Sequence, residues 1–189
     1  GGWYLQPDCN MPSGESFVRQ ILCGKNYFRK HFGKKPTTAI NFDPFGHTQG
    51  LVQILAKSGY DSYLFLRPMP DIEEFKLEND EFIWVGYDGS EVIGKRFTHE
   101  KLYTSALGKA TEKIEQCMEK EKDKPVNIIL WGVGNHGGGP SKKDIKQINN
   151  LIQKDKKNNI IHSTPENYFK ELKERKNELP RHDLDLNPW

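Results

Sequence analysis

Two hydrophobic periods alternate along the chain, and together they predict strands that are each followed by a helix. Short apolar or β-branched runs predict strands at residues 3–6, 37–42, 62–66, 126–131 and 159–162. Apolar residues spaced three and four positions apart predict helices after Ser13, from Leu51 to Gly59, at 100–122, at 141–155 and from Ser163 onward. This alternation is typical of an α/β protein with a parallel sheet and helices on its faces.

One segment departs from the alternation of strand and helix. Residues 82–85 and 91–97 are β-prone runs that flank Asp88-Gly89, a dipeptide that favours a tight hairpin turn. The acidic residues 71–81 in front of them are typical of a solvated loop. We interpret this segment as a β-hairpin inserted into the α/β pattern.

In parallel sheets of this kind, functional side chains gather at the carboxyl ends of the strands. Here those ends carry Asp8, the sequence Asp-Pro-Phe-Gly-His at 43–47, Arg67 and the glycine-rich loop 132–139. We therefore expect Asp8, Asp43, Arg67 and His136 on one rim of the sheet.

Asp43 is the strongest catalytic candidate. It follows a continuous apolar strand, is held by Pro44 and precedes His47 by four residues, so its carboxylate is expected at the strand tip as a nucleophile or metal ligand. The alternative is an N-cap for the helix that begins near Thr48. His47 also has an ordinary interpretation. It either caps the helix or forms a hydrogen bond to a metal ligand without binding the metal itself.

The loop from Gly132 to Gly139 has five glycines in eight positions, which lets its backbone approach a ligand closely. It lacks the Gly-Lys-Ser/Thr ending of a phosphate loop, so nucleotide binding has little support. His136 in its centre is a candidate proton donor or sugar contact, and the alternative is a tight loop whose glycines serve chain geometry alone. Arg67 either forms an exposed salt bridge or holds sugar hydroxyls beside Asp43.

Composition narrows the function classes. The chain has 189 residues, enough for one ordinary domain, and its 28 Lys and Arg nearly cancel 26 Asp and Glu, which leaves no basic field for nucleic acid. Cys9, Cys23 and Cys117 show no Cys-x-x-Cys spacing, which argues against a disulfide framework or a cysteine zinc site. No apolar run approaches the ~20 residues of a membrane span, so a cytoplasmic protein without membrane partners is expected.

Several segments together resemble glycoside hydrolase family 38, the α-mannosidases. The most specific is Asn-Phe-Asp-Pro-Phe-Gly-His at 41–47, directly after a predicted strand. Residues 2–16 resemble the same family, and further segments are similar to bacterial members in the same order, at residues 63–68, 84–90, 134–140 and 185–189. The resemblance covers nearly the whole chain, so residues 1–189 are expected to form part of one catalytic domain.

The resemblance implies a retaining exo-α-mannosidase that removes terminal mannose from oligosaccharides. It also implies a seven-stranded parallel β/α barrel, of which this chain forms a part that includes the hairpin. In the family a divalent metal, normally zinc, grips hydroxyls of the mannose ring, and the residue matching Asp43 is both nucleophile and metal ligand. The other ligands of the family lie outside this chain, which has no His-x-Asp motif.

The resemblance leaves the general acid open. Members of the family carry aspartates in the loop that matches 134–139, where this chain has Asn135-His136. His136 is one candidate acid/base, because histidine titrates near neutral pH, and Asp8, Asp88 or a residue outside the chain are the others. Substrate contacts are expected from Asp8, Arg67, Asp88 and Asn135.

The chain opens directly on a predicted strand without a methionine, which we interpret as the sign of a piece of a longer enzyme. The expected partners are a mannose-containing oligosaccharide and the remaining segments of that enzyme, and the isolated chain is expected to be inactive. Two other functions stay open. One is a metal-dependent carbohydrate deacetylase-like barrel, whose Asp-His-His metal set cannot be assembled here, and the other is a non-catalytic carbohydrate-binding remnant.

Overall fold

The computed structural model describes residues 1–69, 75–98, 102–134 and 138–187. Its helices are α1 (Gly14–Phe32), α2 (Leu51–Lys57), α3 (Ala110–Lys120), α4 (Lys142–Lys154) and α5 (Pro165–Glu174), with a 3₁₀ turn at Lys176–Glu178. Its strands are β1 (Thr38–Asn41), β2 (Ser62–Phe65), β3 (Glu81–Val85), β4 (Glu91–Arg96) and β5 (Arg181–His182). The chain divides into two compact units, one of Gly1–His99 with Phe169–Trp189 and the other of Glu100–Tyr168.

The five strands all belong to the first unit and form one sheet in the order β1-β2-β4-β3-β5. β1, β2 and β4 run parallel, whereas β3 is antiparallel to β4 and parallel to β5. The predicted α/β class is confirmed, but the sheet is mixed rather than purely parallel because β3 and β5 run opposite to β1, β2 and β4. The predicted hairpin is confirmed as β3 and β4. It is not an insertion, since β4 lies beside β2 inside the sheet.

α1 shows how local sequence positions the elements around the site. The Ser13 side chain caps the helix by accepting from the backbone N–H of Ser16 at 3.3 Å, and the helix ends at Gly33 in the left-handed conformation. Phe17 and Ile21 face the core, and a Cβ at Gly24 would lie only 2.2 Å from the carbonyl oxygen of Gly2. This close approach holds the amino-terminal segment against α1.

The core of the first unit lies between the sheet and the helices α1 and α2. Alternate residues of β2 and β3 project into it, namely Tyr63, Phe65, Phe82 and Trp84. The ring of Tyr63 stacks on that of Phe65, with centroids 5.8 Å apart, and lies 5.4 Å from that of Trp84. These aromatic side chains pack beneath the carboxyl end of β2, which is the end of the sheet where functional residues are expected.

The amino-terminal strand predicted at 3–6 does not form. Trp3 is buried, but its indole N–H, rather than its backbone, donates to the carbonyl of Ile40 on β1 at 2.9 Å. Tyr4 and Leu5 are exposed. The Trp3 side chain therefore takes the place of the backbone pairing expected at the edge of β1. The run at 3–6 consists of one buried side chain, Trp3, followed by exposed residues, and it is not a strand.

The second unit is built on the pair α3 and α4, which pack through Ala110, Ile114 and Ile148. The strands predicted at 126–131 and 159–162 do not form, and Ile129 and Trp131 pack on the helix pair instead. The helix predicted at 100–122 is shortened to α3. Its start is fixed by Asp144, which accepts from the backbone N–H groups of Gly108 and Ala110. Among the described residues, no helix is both long and apolar enough to cross a bilayer.

Candidate active site

The carboxyl ends of β1 and β2 carry two of the predicted site residues side by side. Asn41 pairs with Phe65 at this end of the sheet, and Asp43 and Arg67 each follow two residues later. The backbone N–H of Arg67 donates to the carbonyl of Phe42 at 3.3 Å, so the two loops leave the sheet together. The side chain of Asp43 is exposed. The structure thus brings Asp43 and Arg67 to one rim.

Asp8 reaches the same rim through pairing of its own segment with the Asp43 loop. Cys9 forms a parallel β-bridge with His47, and the Gln6 side-chain oxygen accepts from the backbone N–H of Phe42 at 3.1 Å. One carboxylate oxygen of Asp8 accepts from the backbone N–H groups of Asn10 and Met11, at 2.8 and 3.0 Å. These bonds fix the orientation of the Asp8 carboxylate on the rim.

The carboxyl-terminal segment shapes the loop that presents Asp43. His47 and Leu186 exchange two backbone hydrogen bonds, at 3.0 and 2.9 Å. Gly46 has φ near +122°, and a Cβ there would lie 2.2 Å from the Asn187 side-chain oxygen and 2.8 Å from the Asn10 side-chain nitrogen. Only glycine fits this position. Sequence reasoning did not assign a role to Asn10 or Asn187, because their meeting depends on tertiary structure.

Arg67 stacks on the aromatic ring of the same loop. Its guanidinium carbon lies 4.5 Å from the centroid of the Phe45 ring, which is 65% exposed. This cation–π contact holds the Arg67 side chain against the loop that carries Asp43. Both interpretations of Arg67, a surface salt bridge and a contact with sugar hydroxyls, stay predictions.

Behind the rim, four buried side chains form what we call the buried polar network: Asn41, Cys9, Tyr63 and His47. The Asn41 amide nitrogen lies 2.6 Å from the Cys9 sulfur, and the sulfur lies 3.6 Å from the Tyr63 hydroxyl. The hydroxyl lies 2.7 Å from Nδ1 of His47, whose Nε2 lies 2.7 Å from the carbonyl oxygen of Arg67. The network therefore joins all three segments that carry Asp8, Asp43 and Arg67.

Burial keeps the ionisable members of the network neutral. It lowers the pKa of His47 to about 4, against the opposing effects of the Arg67 carbonyl and the Asp8 charge. Burial also raises the pKa of Cys9 to about 12 and raises that of Tyr63 well above its usual value. His47 is fully buried, so the structure favours the supporting role for it over a direct role on substrate.

The low pKa of His47 predicts a pH-dependent stability. The unfolded chain, whose histidine titrates near 6.5, takes up a proton that the folded protein excludes until about pH 4. The stabilisation is complete above pH 6.5 and is lost as the pH falls toward 4, by about 3 kcal/mol in the free energy of unfolding. Urea denaturation at pH 7 and at pH 4.5, followed by tryptophan fluorescence, measures this loss. The variant His47→Gln measures the part of the loss that comes from titrating carboxylates. An equal loss of stability in this variant and in the wild type would contradict the prediction.

Asp88 does not lie on this rim. It sits in the turn between β3 and β4, and since β4 runs parallel to β2, that turn lies at the opposite end of the sheet. Its carboxylate pairs with the Lys57 ammonium at 2.6 Å, and hydrogen bonds from Lys57 and Ser90 lower its pKa to about 2. The expectation that Asp88 contacts substrate or acts as the acid beside Asp43 therefore has no support in the geometry.

The glycine-rich loop belongs to the second unit. Val133 and Gly139 exchange backbone hydrogen bonds at 2.9 and 3.1 Å, and a Cβ at Gly138 would lie 2.3 Å from the Val133 carbonyl oxygen. The close backbone approach that its glycines permit is thus used within the loop itself. Asn135 and His136 lie outside the described residues, and the roles assigned to them stay predictions.

A zinc site is not complete within the described residues. They contain no group of three or more His, Cys, Asp or Glu side chains arranged to hold a metal ion. The exposed carboxylate of Asp43 is an oxygen donor of a kind that zinc accepts, but catalytic zinc sites use about three protein ligands. The residues present therefore fit one ligand of such a site and not the whole.

Comparison with known proteins covers the full chain. Residues 1–189 match the family model "Glycosyl hydrolases family 38 N-terminal domain". The chain is 32% identical to alpha-mannosidase G of Dictyostelium discoideum over 100% of its length, and 29% identical to human alpha-mannosidase 2C1 over 95%. It spans only 17% of the length of each of these relatives.

A solved structure shares the fold. The alpha-mannosidase from Enterococcus faecalis matches with a TM-score of 0.76 at 22% identity, over 98% of this chain and 22% of that one. At this identity the structural match shows a shared fold only. Family membership is shown by the family model and by the relatives matched along the sequence. The resemblance inferred from the sequence is confirmed, and the chain belongs to glycoside hydrolase family 38, within the N-terminal domain of that family.

Proposed function

We propose that this chain is part of the catalytic domain of a retaining exo-α-mannosidase that acts on terminal α-mannose of oligosaccharides. The observation that carries the proposal is the exposed Asp43 carboxylate at the carboxyl end of β1, with Asp8 and Arg67 on the same rim. Family membership and relatives that are α-mannosidases support the substrate class.

In this proposal Asp43 is the nucleophile. Its carboxylate attacks the anomeric carbon and forms a glycosyl-enzyme, while an acid protonates the departing glycosidic oxygen. The same acid then acts as base and takes a proton from the water that releases mannose. The Arg67 guanidinium, held over Phe45, orients the charged loop, and the fixed Asp8 carboxylate accepts hydrogen bonds from sugar hydroxyls.

The acid/base is not assigned by the rim residues alone. A retaining enzyme needs it about 5–5.5 Å from the nucleophile. His136 remains the candidate within this chain, and Asp8 or a residue from the rest of the enzyme remain the alternatives. Asp8 suits substrate binding better, because one of its oxygens is already engaged by two backbone N–H groups.

The rest of the enzyme completes the fold and the metal site in this proposal. β1 and β5 are the edges of the sheet, and further strands would extend it toward the seven-stranded barrel. Zinc dependence would belong to the complete enzyme: Asp43 would be the ligand from this chain, and the ion would help to orient the hydroxyls of mannose. Three free cysteines support a reducing, cytoplasmic setting.

The proposal is tested on the complete enzyme with an aryl α-mannoside. We expect hydrolysis with retention of the anomeric configuration, loss of activity with a chelator, and recovery with zinc. Release of acetate from an acetylated sugar without glycoside cleavage would favour the deacetylase alternative. Binding of mannose oligosaccharides without turnover would favour the non-catalytic alternative.

The isolated 189-residue chain is expected to be inactive toward the same substrate, because its described residues do not complete a metal site. Strand edges that the rest of the enzyme would cover are also expected to make it associate. Size-exclusion chromatography, zinc titration and the aryl α-mannoside assay measure these properties. A monodisperse monomer that binds zinc and turns over substrate would contradict this expectation.

A further inference from the structure

The buried polar network has a fixed direction of hydrogen bonding. At one end, the Asn41 amide faces the Pro7 carbonyl oxygen at 3.2 Å, so the amide nitrogen must point that way and toward the Cys9 sulfur. At the other end, the Arg67 carbonyl can only accept, so Nε2 of His47 carries the proton. Neutral His47 then accepts at Nδ1 from the Tyr63 hydroxyl.

The middle of the network follows from its ends. Because the Tyr63 hydroxyl donates its hydrogen bond to His47, the Tyr63 oxygen can only accept a further one. The Cys9 thiol, whose sulfur lies 3.6 Å away, is then the donor. The Pro7 carbonyl lies farther from the sulfur, at 4.0 Å. Each inner group therefore accepts one hydrogen bond and donates the next, an arrangement in which neighbouring bonds strengthen one another.

We propose that the buried polar network is a positioning device for the candidate active site, with Tyr63 as its central positioning residue. It ties the segment of Asp8, the loop of Asp43 and the backbone of Arg67 to a common buried support. The inference rests on the proposed function for its catalytic consequence, although the geometry itself does not depend on the reaction. None of these four side chains touches substrate in this account.

Tyr63 is the link whose removal changes the network most cleanly. Phenylalanine keeps the ring that stacks on Phe65 and packs near Trp84. Without the hydroxyl, Nδ1 of His47 loses its donor and is left as a buried, unpaired acceptor, which costs free energy. The imidazole is then held only through its bond to the Arg67 carbonyl, so its orientation is less fixed and the rim loops lose part of their support.

Tyr60 provides a matched control in the same core. It is also a buried tyrosine, but its hydroxyl has no hydrogen-bond partner in the described part of the chain. Tyr60→Phe therefore removes the same atom without breaking a hydrogen bond. Any effect of Tyr63→Phe beyond that of Tyr60→Phe reports on the network.

The experiment measures kcat and KM for an aryl α-mannoside in the complete enzyme. For Tyr63→Phe we expect kcat to fall about 10- to 100-fold with KM changed less than about threefold, because a misplaced nucleophile loses rate more than binding. Tyr60→Phe should match wild type. Equal kcat in the two variants would overturn the proposal. Wild type without α-mannosidase activity would instead reject the proposed function.

Two further measurements keep the test independent of activity and of a single variant. Hydrogen–deuterium exchange of the peptide spanning 43–47 should be faster in Tyr63→Phe than in Tyr60→Phe, and equal exchange would count against the network. At Cys9, serine keeps one donor and one acceptor whereas alanine keeps neither. Cys9→Ser should therefore retain more kcat than Cys9→Ala, and the reverse order would contradict the network.

Discussion

Replacing Asp43 with alanine is expected to lower kcat of the complete enzyme by about 10⁴-fold or more, the scale of other nucleophile deletions. The substitution removes the attacking carboxylate, so the glycosyl-enzyme cannot form. Under the proposed function it also removes the metal ligand expected from this chain. Because the Asp43 side chain is exposed, the truncation leaves no cavity in the core, and folding should be preserved.

Asp88→Asn is the matched control for this prediction. Both aspartates were predicted from the sequence to belong to the site, but the structure puts Asp88 in the hairpin turn at the other end of the sheet. Its amide variant should weaken the pair with Lys57 and leave kcat unchanged. Near-normal turnover in Asp43→Ala, or a large loss in Asp88→Asn, would contradict the placement of the site.

Gly46→Ala is expected to lower kcat by about 10²-fold, because displacing a nucleophile by about 1 Å has that cost. An added Cβ would overlap the side chains of Asn187 and Asn10, and φ near +122° is strained for any residue with a side chain. The two side chains can shift, but the strained backbone must change its angles, and Asp43 on the same loop moves with it. Steady-state kinetics of the complete enzyme measures the loss.

Gly89→Ala separates steric overlap from backbone strain. Gly89 also has positive φ, near +77°, but a Cβ there meets nothing within 4 Å. This variant should lose about 1 kcal/mol of stability through strain alone, with kcat retained. If both alanine variants keep full activity, the Asn10 and Asn187 side chains do not set the position of the Asp43 loop.

Local signals in the sequence predicted the first unit well where one residue decides the structure. Ser13 caps the start of α1 as predicted, and the β-branched run before Asp43 forms β1. Asp88-Gly89 predicted the hairpin, but it carries no information on which strand β4 joins. The pairing of β4 with β2 depends on residues distant in the sequence. It places Asp88 at the end of the sheet opposite to the rim.

Apolar runs without a pairing partner were the main source of error. The residues at 3–6 and 126–131 have the composition of strands, yet Trp3 uses its side chain to reach Ile40 and Trp131 packs on helices. Strand formation needs a neighbouring strand with free backbone groups, and a single segment does not reveal one. β5 is only two residues long and is too short to give a periodic signal.

The rim residues were predictable because strand ends are marked in the sequence, whereas the buried polar network was not. Asn41 and Tyr63 carry polar groups within strands that are mostly buried, and His47 follows Asp43 by four residues. Each has an ordinary interpretation as core or cap when taken alone. Only the tertiary structure shows that Cys9 lies between Asn41 and Tyr63 and completes the connection.

The most direct test of the central claim is covalent labelling of the complete enzyme with a mechanism-based fluoroglycoside related to α-mannose. A retaining enzyme accumulates the fluoroglycosyl intermediate on its nucleophile, and digestion followed by mass spectrometry locates the modified carboxylate. The account predicts that the label lies on Asp43. A label on any other carboxylate, or hydrolysis with inversion and no trapped intermediate, would contradict it.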